Sequence, residues 1–335
     1  MPGRSSNRDA WWLALEPAEE ELFFHSADHD DPRLGDVVQR WDGKPCKISA
    51  RQPVLLGFPC DEGVRRNLGR PGAGAAPRAI RQQLYRLTSW DGAGRKPVDL
   101  ASVRLLDLGN IRVQTSLEQM QEYLGLVVEA LLQLKAVPVI LGGGHESAFG
   151  HYLGYVNAGI KCGILNIDAH LDVRPYAKGG HSGSPFRQII EHREQQLSPG
   201  QYAVIGAQRQ AVAKAHCEFI QPLLHRIHWW REDLECRDLF LAELDELGSG
   251  GGAVMVTVDA DAFREADVPG VSAPNPSGLP GTVWPMIAEL AGQDPRVKSL
   301  ELVEVNPSFD RDNQTARWAA LGLRQFLVGF AARPT

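Results

Sequence analysis

Cysteine is scarce in this sequence, and the few present do not pair. The five cysteines, Cys46, Cys60, Cys162, Cys217 and Cys236, form no C-x-x-C motif. That excludes a zinc ribbon or a disulfide frame and suits free thiols in a reducing cytosol. Long apolar runs are missing too: none approaches the roughly 20 residues a membrane-spanning helix needs. The polar N-terminal stretch has no signal-peptide core. A soluble cytoplasmic protein with no membrane partner is expected. There is no basic excess, since the net charge is −6, which argues against nucleic acid as a partner. Phosphate signatures are lacking as well. The glycine-rich stretch 61–74 has neither a Walker lysine nor a G-x-G-x-x-G opening a helix, so a nucleotide-binding reading lacks its partner residues.

What is present is the composition of an ordinary soluble enzyme. The chain has 335 residues, 43% of them hydrophobic and 23% charged, enough to bury a large core. Residues 1–50 read as an N-terminal extension packed on the core. Within it His25, Asp28, His29, Asp30 and Asp31 resemble a ligand cluster, but they precede Pro32 with no strand pattern to fix them and read as a solvated loop. Residues 51–335 read as a single catalytic domain. Strands are predicted at 53–58, 103–108, 137–141, 162–166, 202–205, 253–261 and 300–307. Helices are predicted at 77–87 and 116–135, the latter with Ser116 as cap and apolar residues at helical spacing. Strands alternating with helices predict a parallel sheet covered on both faces, an α/β fold.

The chemistry collects where these strands end. Asp168, His170 and Asp172 follow the apolar run 162–166. In an extended chain they share one side, at the carboxyl end where open α/β sheets keep their ligands. The strand 137–141 runs through Gly142–Gly143–Gly144 into His145, and the strand 253–261 ends in the carboxylates of Asp259 and Asp261. Four carboxylates and two imidazoles without a thiolate form a hard set that suits manganese better than zinc, with too many ligands for one ion that keeps an open position. Two ions would neutralise the four charges and draw the pKa of a shared water from about 15.7 toward neutrality.

Four motifs carry a family resemblance over most of the chain: Gly-Gly-Gly-His-Glu at 142–146, Asp-Ala-His-Leu-Asp at 168–172, Val-Asp-Ala-Asp at 258–261 and Glu-Val-Asn-Pro at 304–307. In these the chain resembles the arginase and agmatinase (ureohydrolase) family, and within it the formimidoylglutamase branch. The resemblance implies a three-layer α/β/α, arginase-like fold and two Mn2+ per chain. One ion would be held by His145, Asp168, Asp172 and Asp259, the other by His170, Asp168, Asp259 and Asp261. It implies that Asp172 and Glu304 act in catalysis, Glu304 facing the substrate's cationic nitrogen, and that the protein forms a homo-oligomer.

Two departures separate family members. Arginases and agmatinases carry Gly-Gly-Asp-His-Ser where this chain has Gly-Gly-Gly-His-Glu. The family's His-Gly-Thr-Pro-Phe is replaced by Ser182–Gly183–Ser184–Pro185–Phe186, with His181 one position early as the candidate proton carrier. On the rim, Arg174 lies two positions after Asp172, and its planar donors suit a bidentate carboxylate grip. Ser182, Asn67 and Arg70 are further candidates for substrate contact. A substrate with two carboxylates is expected: N-formimidoyl-L-glutamate, hydrolysed to L-glutamate and formamide in histidine degradation. Three alternatives stand beside it: a guanidine hydrolase, a zinc deacetylase, and a non-catalytic, metal-stabilised binding protein.

Overall fold

The computed structural model describes residues 10–93 and 97–334. Its centre is a sheet of ten strands, numbered here in chain order. These are β1 Leu15–Glu16, β2 Gln39–Arg40, β3 Pro53–Gly57, β4 Leu106–Ile111, β5 Val137–Leu141, β6 Cys162–Ile167, β7 Tyr202–Ala207, β8 Arg226–Trp229, β9 Ala253–Asp259 and β10 Val297–Val303. Across the sheet they run β1-β4-β3-β5-β10-β9-β6-β7-β8, with β2 also paired to β4. All pairings are parallel except that of β1, which lies antiparallel at one edge.

The central strands β3, β5, β6 and β9 are buried along their whole length and mostly apolar because both faces are covered. Alternate side chains enter two separate cores. Leu55, Val139, Leu141, Leu165, Val256 and Val258 pack with Trp284, Leu323 and Phe326. Val54, Leu56, Ile140, Ile164 and Met255 pack with Leu124, Val128 and Tyr152 on the other face. The first face is covered by helices that include Val283–Gln293 and Gln314–Ala331, the second by Leu117–Gln133 and Ser147–Ala158. The result is three layers, α/β/α.

Several elements fall where the sequence predicts them. The helix Leu117–Gln133 starts at Ser116, whose hydroxyl accepts the Gln119 backbone N–H. The strand predicted at 103–108 is displaced to β4, Leu106–Ile111. The Asp99 carboxylate caps a short 3-10 turn, Leu100–Val103, and Arg104 then takes a left-handed φ of 55° before the strand begins. The helix predicted at 77–87 is Ala76–Leu84, since Ala73–Ala75 already turns into it. Pro185–Gln188, predicted as loop, opens the helix Pro185–Ile190.

In the extension, Leu15 and Glu16 of β1 pair with Ile111 and Asn110. Trp12 stacks between Trp11 and Trp41, all three buried. The run from His25 to Asp31 is a half-exposed to exposed turn, with the His25 ring on Asp36 at 3.2 Å.

Candidate metal centre and substrate rim

Four strands adjacent in the sheet, β5, β10, β9 and β6, end at one level. Asp259 pairs with Val303, Val258 with Ile167, and Leu302 with Leu141. Their exits carry His145, Glu304, Asp259 with Asp261, and Asp168 to Asp172. Neighbouring strands lie about 4.8 Å apart, so side chains leaving such an edge can meet around a small ion.

They gather in two groups. His145, Asp168, Asp172 and Asp259 form one, all buried, and Asp168, His170 and Asp261 the other; within each, the possible ligand atoms lie within 4.8 Å of one another. His145 Nδ1 is 3.1 Å from Asp172 Oδ2, 3.1 Å from Asp259 Oδ2 and 3.3 Å from Asp168 Oδ2. His170 Nδ1 is 3.3 Å from Asp261 Oδ2 and 3.5 Å from Asp168 Oδ1. Asp168 belongs to both groups. Asp259 belongs to the first only, its Oδ1 accepting the Asp261 N–H at 2.8 Å.

Asp168, His170 and Asp172 do not lie on an extended chain, contrary to what their spacing predicts. The strand stops at Ile167, the Asp168 carboxylate accepts the His170 N–H at 2.7 Å, and Asp172 takes a φ of 47°. A bend, not alternation, brings these side chains together. Glu304 likewise leaves β10 with a φ of 62°. Its N–H donates to Gly143 O, and its Oε1 accepts the His145 N–H at 2.9 Å.

Burial first, and then neighbouring carboxylates, push three acids up: Asp172 beside Asp168, Asp259 beside Asp261 and Asp168, and Glu304 beside Glu146. Burial would raise Asp168 as well, but the His145 and His170 imidazoles beside it hold it below the usual carboxylate range. Such crowding of like charge calls for a cation. The residues fit one that is hard and divalent: every donor is nitrogen or oxygen, and His145 Nδ1 and Asp261 Oδ1 are buried without a hydrogen-bond partner.

The support beneath these ligands is legible only in part. His145 Nε2 meets Thr257 Oγ1 at 3.1 Å, and Asn166 Nδ2 donates to Asp168 Oδ2 at 3.0 Å. Thr257 and Asn166 face each other across β9 and β6. Neither residue is among the site residues predicted from the sequence. Each is a polar residue inside an apolar strand, two positions before a ligand, which was the available signal. Such partners fix ligand orientation and, for histidine, the tautomer.

Three rim candidates come together. Arg174 is half-buried, and its Nη1 donates to Asn67 Oδ1 at 3.2 Å. Asn67 Nδ2 donates to Ser182 Oγ at 3.1 Å. Arg70 is directed elsewhere: its Nε and Nη2 donate to Ser272 O and Val271 O, and its guanidinium lies 3.9 Å over the Phe309 ring. His181 joins neither ligand group. Its Nδ1 accepts the Gly183 N–H at 3.2 Å and its Nε2 lies 3.1 Å from Pro175 O, so its own loop occupies both ring nitrogens.

Fold and site together define a class: α/β proteins that gather hard-metal ligands at the carboxyl end of a mostly parallel sheet. The Arginase family matches residues 51–329. A formimidoylglutamase of Geobacillus kaustophilus is 36% identical over 327 residues, 96% of this chain and 95% of that protein. The crystal structure of Trypanosoma cruzi formiminoglutamase with Mn2+ superposes with a TM-score of 0.80 at 30% identity, covering 91% of this chain and 100% of that one. Proclavaminate amidino hydrolase of Streptomyces clavuligerus, at 23% identity and a TM-score of 0.74, shares the fold, over 86% of this chain and 94% of its own. The chain belongs to the arginase family.

Proposed function

We propose that this protein is a manganese-dependent hydrolase that converts N-formimidoyl-L-glutamate and water to L-glutamate and formamide. The observation that carries the reading is the pair of His–carboxylate groups beside a half-buried Arg174 that has no carboxylate within ion-pair distance among the described residues. His145, Asp168, Asp172 and Asp259 would hold one ion, and His170, Asp168, Asp259 and Asp261 a second. Bound there, manganese supplies Lewis acidity that activates water near neutral pH.

The protein's own groups do the rest. Arg174, steadied by Asn67 and with Ser182 beside it, offers planar donors to a substrate carboxylate. Glu304 has one oxygen on the His145 N–H and the other for the cationic formimidoyl nitrogen. Asp172 takes a proton of the water that attacks the formimidoyl carbon and passes it to the glutamate nitrogen, so that the carbon–nitrogen bond breaks to leave glutamate amine and formamide. A direct role for His181 has no support from its hydrogen bonds. Arg70 holds the rim loop rather than substrate.

A single domain at 51–335 with 1–50 laid on it is supported by the pairing of β1 and the Trp11–Trp12–Trp41 stack. Cytoplasmic residence is supported by five free cysteines, and homo-oligomerisation by the family resemblance, with light scattering as its measurement.

The decisive assay offers formimidoyl-glutamate, arginine, agmatine and guanidinobutyrate side by side to manganese-loaded protein. Formamide and glutamate should be released selectively. Arg174→Ala should raise KM roughly 10- to 100-fold, the worth of a charge-assisted hydrogen-bonded grip. Preference for a guanidine would overturn the substrate assignment. Bound metal with no turnover of any of the four would support the binding-protein reading.

A further inference from the structure

Glu146 follows a proposed metal ligand yet touches neither ligand group. It is fully buried at the start of the helix Ser147–Ala158. Its backbone oxygen accepts Gln121 Nε2 at 2.7 Å from the neighbouring helix. Its Oε1 reaches across to the rim loop and accepts the Gly63 N–H at 2.7 Å. The fit allows no substituent on either side. A Cβ on Gly63 would stand 2.4 Å from Glu146 Cδ, and one on Gly144 would stand 2.0 Å from Glu146 Oε2.

From Gly63 the contacts lead outward. Gly63 O accepts the Asn67 N–H at 2.9 Å, closing the short helix Glu62–Arg66. Asn67 then holds Arg174 through Oδ1 and Ser182 through Nδ2. One buried carboxylate therefore ties the turn that carries His145 to the segment that orients the Arg174 guanidinium.

We propose that Glu146 is a positioning residue, a latch that holds the Glu62–Asn67 segment on the His145 turn and so sets where Arg174 meets the substrate carboxylate. The inference rests on the substrate reading above for its kinetic consequence and on geometry alone for the latch. A buried hydrogen bond of this kind is worth about tenfold in an equilibrium. Glutamine keeps an oxygen for Gly63, whereas serine is too short to reach it.

The test compares wild type, Glu146→Ser and Glu146→Gln as manganese-loaded protein, by steady-state kinetics on formimidoyl-glutamate, bound-metal content, and mass-spectrometric timing of tryptic cleavage after Arg65 and Arg66. Glu146→Ser should raise KM about tenfold with kcat within threefold of wild type and bound metal unchanged, and should be cut faster at those arginines. Glu146→Gln should recover most of both properties. Loss of kcat together with metal, with cleavage unchanged, would overturn the latch, because Glu146 would then act on the ligand turn itself. Failure of Glu146→Gln to recover KM and cleavage would also overturn it. A wild type inert toward formimidoyl-glutamate, with the cleavage pattern as expected, would overturn the substrate reading and support the latch.

Discussion

Asp172 and Glu304 adopt left-handed backbone conformations, φ 47° and 62°, that side chains of their type rarely take. Both sit where a strand has ended and a carboxylate must turn toward the centre. Here sequence reading reaches its limit at the scale of the residue. Residue types and spacing single out Asp168, His170, Asp172, Asp259 and Asp261 as candidates, and the structure brings them together in two groups. The torsions that aim them depend on distant partners, such as Gly143 O for the Glu304 N–H.

Away from the site, His225 illustrates the same dependence. It is buried edge-on against Tyr202, with a centroid separation of 5.8 Å, and neither ring nitrogen has a partner. Burial, aided by Arg226, pushes its pKa down to about 4. The folded state thus favours the neutral ring. The stability this confers is complete above the unfolded value near 6.5 and is lost as pH falls through 4. His225→Phe should therefore gain stability relative to wild type as pH drops from 7 to 4. The difference in Tm between the two across that range measures it, and a constant difference would refute it.

At the scale of elements, the helix Ala76–Leu84 is joined to β4 by a fully buried ion pair. Arg81 Nε and Nη2 lie 2.8 and 2.9 Å from the two Asp107 oxygens. Arg81 also donates to Asn110 Oδ1 and Gly109 O, and Tyr85 donates to Asp107. Removing one partner of such a pair leaves an uncompensated buried charge. Asp107→Ala should cost about 3–5 kcal/mol, measured by urea unfolding; a loss below about 1 kcal/mol would contradict this.

Element boundaries were legible where local chemistry decided them and illegible where it was shared. Ser116 capped the 117–133 helix as its type suggests. The start of β4 depends on pairing of Leu106 with the distant Gln39 and Val54, which residues 103–108 alone do not show. The cover on both faces of the sheet was legible, since runs such as 137–141 and 162–165 offer apolar side chains to both sides.

For the molecule as a whole, the crowded carboxylates predict a stability that depends on a bound cation. Chelation of manganese from the loaded protein should lower Tm by several degrees, in line with roughly 3 kcal/mol of stabilisation at a hundredfold excess of metal over Kd. Calorimetry with chelator and then with restored manganese would check it. A Tm unmoved by either would contradict the metal reading of both clusters.

The order of strands bears on how the protein comes into being. β10, residues 297–303, lies between β5 and β9 in the middle of the sheet. During synthesis from the N-terminus, strands 53–57 and 137–141 emerge long before the strand that joins them to 162–167 and 253–259. Until then His145 and the Asp168–Asp172 bend belong to two unconnected half-sheets. A ribosome-bound chain short of about residue 303 therefore lacks the group around His145, whereas Asp168, His170 and Asp261, at the exits of the directly paired β6 and β9, can already stand together.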